Sequence, residues 1–228
     1  PHVFDEAEDT FRVFDKKKAN ISLFEKDAYR FKGRPYDYDG CGIICAKLPV
    51  DDIKTVAKKY NATITEYLTA LYMLSIYEAW LKDKPVKNKD VKILVPINLR
   101  SRFASKTMRN FTLYVRCKHD FHTDISLEEC IALCKEQIAK GLDTEEIEKL
   151  IHYNVKIEKN VLIKIVPLFL KDIVMKLSYM RVGENLQSGD ISNIGLVKTP
   201  ECFNGRLKDL TFVIGPTKSA KQNLGVIG

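Results

Sequence analysis

The stretch Val91–Asn98, which reads VKILVPIN, decides the fold class of this chain. Apolar side chains occupy both odd and even positions in it, and so both faces of a strand, whereas a strand with one solvated face would alternate apolar and polar residues. A short apolar run of this kind, preceded by a charged turn, is typical of a strand buried within a sheet. The stretch therefore predicts a β-sheet that is covered on both faces.

On the N-terminal side of this strand, the sequence predicts one strand and two helices. The short apolar run Cys41–Leu48 predicts a strand. Residues 51–60 and 64–81 have helical spacing of their apolar positions. Thr63 and Glu66 have the spacing of a capping box at the start of the second helix. Because that helix is apolar nearly all round, we expect it to be buried.

On the C-terminal side, the sequence predicts another strand and then mainly helix. Residues 110–117 alternate apolar and polar side chains and predict a strand. Ser126, with a glutamate three residues later, predicts a helix N-terminus, and Gly141 is predicted to follow that helix as its C′ residue. A long helical region is predicted over residues 144–180, with a break at Pro167.

The last part of the chain predicts two or three further strands. They cover Ile191–Val197, Leu210–Ile214 and Leu224–Ile227, and we expect the chain end to cut the last one short. This element order predicts an α/β fold, a two-layer sandwich in which a mixed β-sheet is backed by helices. We expect residues 1–39 to form an irregular lead-in or linker and residues 40–228 to form one lobe.

Composition narrows the class of function. The chain has 228 residues, a net charge of +7 and 45% hydrophobic residues, which is ordinary for a soluble globular protein. The lysines are spread among acidic residues, so we expect no nucleic-acid partner, whereas a small anionic ligand suits this charge. No run of ~18 apolar residues is uninterrupted, so no membrane span is expected. The six cysteines form no CxxC pair, which predicts reduced thiols in a cytoplasmic protein.

The histidines provide few candidates for acid–base or metal chemistry. His119 and His122 follow Cys117 in a Cys-x-His-x-x-His pattern that matches no common zinc site. We therefore expect a solvated loop there and no metal. His152 is predicted to be a structural side chain in a helix, and His2 lies in the lead-in.

Small polar residues interrupt the apolar pattern at Ser188–Gly195, which reads SGDISNIG. One interpretation is a strand end with a bulge at Ser192, Asn193 and Gly195. The other is that Ser192 donates a hydrogen bond to an oxyanion inside a cavity, and the residues alone leave both open. A second candidate set contains Lys218, Ser219 and Lys221, which follow a Gly-Pro turn and are placed to contact a cofactor phosphate.

An ordered set of motifs resembles the superfamily of chloramphenicol-acetyltransferase-like enzymes, which includes condensation domains and alcohol acetyltransferases. The set covers most of residues 40–228 in the expected order. It consists of Thr63–Leu71, Val95–Phe103 with Asn110-Phe111, Ser192–Gly195, Phe212–Pro216 and Leu224–Gly228.

The resemblance implies a coenzyme-A-dependent acyltransferase-like lobe, the C-terminal one of two, with an active-site tunnel between the lobes. The implied reaction moves an acyl group from a thioester of coenzyme A or a carrier protein to an alcohol or amine. Acetyl-CoA or another acyl-CoA is the implied co-substrate. The implied partners are the N-terminal lobe, a small-molecule acyl acceptor and a second copy of the fragment.

The resemblance also implies roles for single residues. Ser192 would support the tetrahedral intermediate, and Asn193 would shape the adjacent turn. Asn98 and Arg100 would hold loops of the lobe. The catalytic base of the family is the second histidine of HHxxxDG, which this sequence does not contain. We therefore expect the chain alone to be nearly inactive; the alternative is a non-catalytic binding module with the same fold.

Overall fold

The computed structural model describes residues 6–16, 25–32, 37, 40–179, 184–203, 206–207, 209–217 and 220–228. Its helices are α1 (Thr10–Val13), α2 (Val50–Lys59), α3 (Ile64–Ile76), α4 (Leu127–Gly141), α5 (Thr144–Lys159), α6 (Val161–Ile165) and α7 (Leu168–Ser178). Its strands are β1 (Asp90–Asn98), β2 (Thr112–Asp120), β3 (Gly189–Asn193) and β4 (Asn223–Val226).

The four strands form one mixed sheet in the order β2-β1-β3-β4. Strand β1 is antiparallel to β2 and parallel to β3, and β3 is parallel to β4. Helices α3 and α4 pack together on one face of this sheet and bury a common apolar core against it. The predicted α/β sandwich with a mixed sheet backed by helices is confirmed.

The two faces of the sheet differ in chemistry. The inner face contributes Ile93 of β1 and Ile191 of β3 to the core under α3 and α4. Since successive side chains of a strand point to opposite faces, the outer face carries Lys92, Asp190 and Ser192. The outer face is therefore partly polar, and the prediction that the sheet is covered on both faces stays a prediction.

Local signals at the helix ends predicted the helices well. Thr63 with Glu66, and Ser126 with its own glutamate, form complete capping boxes at the starts of α3 and α4. After Ile76, α3 continues as a π-helical turn over Tyr77–Leu81, so the predicted length is confirmed. The long helical region is interrupted after Lys159 and again at Pro167, which is the N-cap of α7.

Two predicted strands are not strands in the structure. Cys41–Leu48 and Leu210–Ile214 have no strand partner, and most of their side chains are exposed, with Ile44 at 99%. A further predicted strand, Ile191–Val197, is a strand only as far as Asn193, although the backbone N–H groups of Ile194 and Val197 still donate to the carbonyls of Val226 and Gly228. An apolar β-forming segment becomes a strand only when its backbone groups pair with a neighbouring strand, and neither Cys41–Leu48 nor Leu210–Ile214 forms such a ladder with the strands that the structure describes.

Gly141 does not have the predicted role of a left-handed residue beyond the helix. It is the last residue of α4, and the C-cap is Leu142 in right-handed geometry. Its function is close packing, because a Cβ at this position would lie 2.2 Å from Cγ2 of Val115 on β2. Glycine thus lets the end of α4 approach the sheet.

We expect Gly141→Ala to lower the free energy of unfolding by ~1–3 kcal/mol, because the added methyl group forces Val115 to move. Urea unfolding monitored by circular dichroism measures this loss, and Val115→Ala in the same background should restore part of it. Gly215→Ala is the matched control, since a Cβ there meets nothing within 4 Å. Equal midpoints for wild type and Gly141→Ala would contradict this account of Gly141.

The described part of the lead-in packs on the lobe. The rings of Phe11 and Phe14 lie 5.1 and 4.9 Å from those of Phe111 and Phe103. Further along, the backbone N–H of Tyr29 donates to the carbonyl of Asp90. The boundary between a lead-in over 1–39 and a lobe over 40–228 stays a prediction.

Strand β2 is an edge strand, and a side chain from α4 covers part of its free edge. The Gln137 amide accepts from the backbone N–H of Lys118 at 2.7 Å and donates to the carbonyl of the same residue at 3.0 Å. These are the two hydrogen bonds that a neighbouring strand would supply. The pair of bonds fixes α4 to the rim of the sheet.

All six cysteines are free thiols. Cys117, Cys130 and Cys134 lie in the core, where Sγ of Cys134 is 3.6 Å from Sδ of Met73. These three are packed as small apolar side chains. The other three are exposed.

Candidate functional site

Ser192 lies near the end of β3, on the outer face of the sheet, and it is half-buried. It is in register with Gly225 of β4. A Cβ at Gly225 would lie 2.6 Å from the carbonyl oxygen of Phe212 and 3.1 Å from its ring. Phe212 therefore packs closely against Gly225, the register partner of Ser192, at a place where only glycine leaves it room.

The hydroxyl of Ser192 forms no hydrogen bond within the described part of the chain. It thus keeps its donor for a ligand or for water. Its side chain sits on a strand whose pairing is regular from Asp190 to Asn193. The interpretation with a bulge at Ser192 and Asn193 is therefore not supported, because both residues continue the ladder with β4.

Asn193 points to the inner face and connects β3 with helix α3. Its amide nitrogen donates to Oγ1 of Thr65 at 3.1 Å, and its amide oxygen accepts from the N–H of Gly195 at 2.9 Å. Gly195 has a φ of +69°, a conformation that glycine adopts at little cost. This geometry fits the expectation that Asn193 shapes the turn, although the oxyanion role of Ser192 and Asn193 stays a prediction.

Asp190 is a further candidate residue that the sequence alone did not single out. It precedes Ser192 by two positions on the same strand, so both side chains project from the outer face. Its Oδ1 atom is buried and has no hydrogen-bond partner among the described residues. Burial raises the pKa of this carboxyl. The only signal in the sequence was a charged residue in a stretch, Ser188–Gly195, whose other side chains are small or apolar.

The predicted phosphate-contacting residues are only partly placed. Lys218 and Ser219 lie outside the described residues. Lys221 is exposed and precedes β4 by two residues. Contact of these three residues with a cofactor stays a prediction.

No hydrogen bond joins a histidine of the described segments to β3. Nε2 of His119 pairs with the carbonyl of Thr123 and Nε2 of His122 with that of Lys87, both at 3.2 Å. Nδ1 of His152 lies 2.7 Å from the Asp15 carboxylate, so this histidine is satisfied as predicted. Within the same segments, no three His, Cys, Asp or Glu side chains are arranged to hold a metal ion.

Arg100 holds a loop rather than a substrate. Its guanidinium donates to the carbonyls of Thr107 and Arg109 at 2.9 and 2.5 Å, and its backbone N–H donates to the Asn98 side chain at 3.1 Å. The loop after β1 is thereby fixed to the end of that strand. The expected loop-holding role of Asn98 and Arg100 is confirmed by these contacts.

Comparison with known proteins gives one family. The sequence model of the alcohol acetyltransferases matches residues 43–225. None of the curated proteins compared with the chain matches it. Among solved structures, vinorine synthase aligns with a TM-score of 0.36 and 12% identity, over 64% of this chain and 30% of that chain. In the described residues, no helix has the length and apolarity needed to cross a bilayer. Because the family model covers most of the sequence, the chain belongs to the alcohol acetyltransferase family.

Proposed function

We propose that this chain is the C-terminal lobe of an acyltransferase that moves an acyl group from a thioester to an alcohol or amine. The observation that carries the proposal is the family match over residues 43–225, within which Ser192 keeps a hydroxyl without a partner among the described residues. Acetyl-CoA or another acyl-CoA is the donor that suits this family, and a carrier-protein thioester is the alternative donor.

Ser192 would act on the negative charge that develops during the reaction. The acceptor oxygen or nitrogen attacks the thioester carbon, and the carbonyl oxygen gains charge in the tetrahedral intermediate. A hydroxyl donor placed at that oxygen stabilises the transition state more than the ground state. When the intermediate collapses, the carbon–sulfur bond breaks, and the proton taken from the acceptor ends on the leaving thiol.

The base that takes this proton would come from outside the chain. The sequence holds no HHxxxDG motif, and no hydrogen bond joins β3 to any histidine in the described ranges. General-base catalysis is worth typically 10²- to 10⁴-fold in rate. We therefore propose that an N-terminal lobe supplies the histidine and that this chain alone turns over very slowly.

Exposed apolar surface supports the proposal of a partner lobe. Phe169, Ile173 and Leu177 lie along one side of α7, and all three are more than half exposed. The unpaired segments Cys41–Leu48 and Leu210–Ile214 add further exposed apolar side chains. Apolar surface of this extent on a protein marks a place where another protein surface binds. A second copy of the chain is the other occupant that we consider.

A comparison of the full-length gene product with this chain tests the proposal. Both would be incubated with acetyl-CoA and a panel of alcohols and amines, with detection of released thiol. We expect turnover by the full-length product and at least ~100-fold less by the chain alone, because the base is missing. Size-exclusion chromatography with light scattering would show whether the isolated chain dimerises.

The absence of HHxxxDG also favours a second candidate, a binding module that keeps the fold without catalysis. The same experiment separates the two. A full-length product that contains no HHxxxDG and releases no thiol from any donor and acceptor would favour the binding module. In that case Ser192 would be an ordinary strand residue.

A further inference from the structure

We propose that Asp190 binds a hydrogen-bond-donating group on the acyl acceptor, so that the preferred acceptor is bifunctional, a diol or an amino alcohol. This inference rests on the proposed function and deepens it, because it names the class of acceptor. Asp190 would act as a specificity-determining residue beside Ser192.

The first support is the unsatisfied carboxylate. Oδ1 of Asp190 is buried and has no partner in the described part of the chain, while the backbone N–H of the residue is bonded to the Asn223 side chain at 3.1 Å. A buried acceptor without a partner lowers the stability of the folded state, so a native protein retains one only where something offsets that cost. A ligand that donates to this oxygen would do so.

The second support is the position of Asp190 relative to Ser192. Both side chains project from the outer face of β3, and two residues of a strand span ~6.6 Å. Phe212 packs over Gly225 beside Ser192 and adds an apolar surface to the same region. A bifunctional acceptor would have its reacting group near Ser192 and a hydrogen-bond donor about four carbons away. It would then contact both Ser192 and Asp190 and lie along the ring of Phe212.

The neighbouring cations do not satisfy Asp190. Lys92 lies on the same outer face, but its ammonium group contacts Glu25 at 3.3 Å, the carbonyl of Lys26 at 2.6 Å and Asp90 at 3.6 Å. Oδ1 of Asp190 is thus left for a donor that the described chain does not provide. That donor can be a neutral hydroxyl or a protonated amine, and the test separates these two.

The test uses the full-length gene product, acetyl-CoA and three acceptors of equal chain length. These are 1-butanol, 1,4-butanediol and 4-amino-1-butanol, with the diol value corrected for its two equivalent hydroxyls. We expect kcat/KM to exceed that of 1-butanol by about 10- to 100-fold for at least one bifunctional acceptor. Mass spectrometry of the amino alcohol product should show acylation at oxygen, because the amine is held by Asp190.

Variants at Asp190 should remove this preference. In Asp190→Leu, the ratio of kcat/KM for the bifunctional acceptor to kcat/KM for 1-butanol should fall to about one. In Asp190→Asn, a preference for the amine should be lost, whereas a preference for the diol should persist in part. Neither substitution should lower the melting temperature. A purely structural role of Asp190 would instead predict a lower melting temperature in both variants. Asp51→Asn, an exposed carboxylate on α2, is the control and should change nothing.

The outcomes distinguish this inference from the proposed function. Turnover of 1-butanol with a wild-type ratio near one, or a ratio unchanged in Asp190→Leu, overturns the role of Asp190 and leaves the acyltransferase proposal standing. If no acceptor is acylated, binding of the acceptor is measured directly by ¹³C NMR, in protein labelled with ¹³C at the aspartate carboxyls. The Asp190 signal, assigned through Asp190→Asn, should then shift with 4-amino-1-butanol or 1,4-butanediol and not with 1-butanol, and no shift overturns the inference.

Discussion

Ser192→Ala should lower kcat for acyl transfer by the full-length gene product by about 10²- to 10³-fold, with little change in KM. This is the size of effect found when one donor to a developing oxyanion is removed. The substitution should leave folding intact, because the Ser192 hydroxyl makes no hydrogen bond to the described residues and its strand pairing uses backbone atoms only. Steady-state thiol release with acetyl-CoA and the best acceptor measures both constants.

The control for this substitution is Ser75→Ala. The Ser75 hydroxyl is exposed on α3 and donates to the carbonyl of Leu71 within its own helix. It should therefore have no effect on turnover. A Ser192→Ala enzyme with wild-type kcat would show that this hydroxyl does not stabilise the intermediate, and the oxyanion donor would then have to be sought elsewhere in the site.

Lys92→Met should lower the free energy of unfolding by ~2–4 kcal/mol, because it removes one member of a buried charge cluster. The Lys92 side chain is only 2% exposed, and its ammonium group is shared by Glu25, Asp90 and the carbonyl of Lys26. Methionine keeps the length and apolar body of the side chain, so the measured loss reports the missing charge. Guanidinium unfolding measures this difference in free energy of unfolding, provided that the m-value is unchanged.

Lys118→Met is the matched control for this prediction. Lys118 contacts the same Glu25 carboxylate at 3.7 Å, but its side chain is 51% exposed. An exposed pair of this kind contributes typically 0–1 kcal/mol. Equal losses for Lys92→Met and Lys118→Met would contradict the view that burial makes Lys92 the important cation.

The same cluster predicts a change in acid stability. Burial acts to raise the pKa of Glu25, but Arg116, Lys118 and Lys92 more than offset it and lower this pKa below its ordinary value. A lowered folded-state pKa contributes stability at higher pH that is lost as the pH falls through that pKa. Without Lys92, the pKa of Glu25 moves back toward its unfolded value, so Lys92→Met should lose less stability than wild type as the pH falls through this range, and the difference in free energy of unfolding between the two proteins should shrink in acid.

Features that depend on a few adjacent residues could be predicted from the sequence. The capping boxes at Thr63 and Ser126 and the helix break at Pro167 all occur where the sequence places them. Each is decided within one helical turn. At the capping boxes a side chain accepts a hydrogen bond from a backbone N–H, and at Pro167 the backbone N–H is absent. The sheet could also be predicted, because β1 is apolar enough to require neighbouring strands on both sides.

Features that depend on distant partners could not be predicted. Cys41–Leu48 has the composition of a strand, but composition does not show whether another strand lies beside it. Gly141 was expected to end a helix by its conformation, whereas Val115, 26 residues earlier in the chain, requires it for space. Asp190 was not singled out from the sequence, because an unsatisfied carboxylate oxygen can be recognised only when the surrounding atoms are placed.

The Gln137 amide on the rim of β2 has a consequence for how the protein can assemble. An open strand edge is a template on which other chains polymerise, and here the amide occupies both backbone groups of Lys118 on that edge. Association of copies through β2 is therefore obstructed at that point. Loss of this side chain would make the protein prone to fibrous aggregation under conditions in which its fold and its chemistry are otherwise unimpaired.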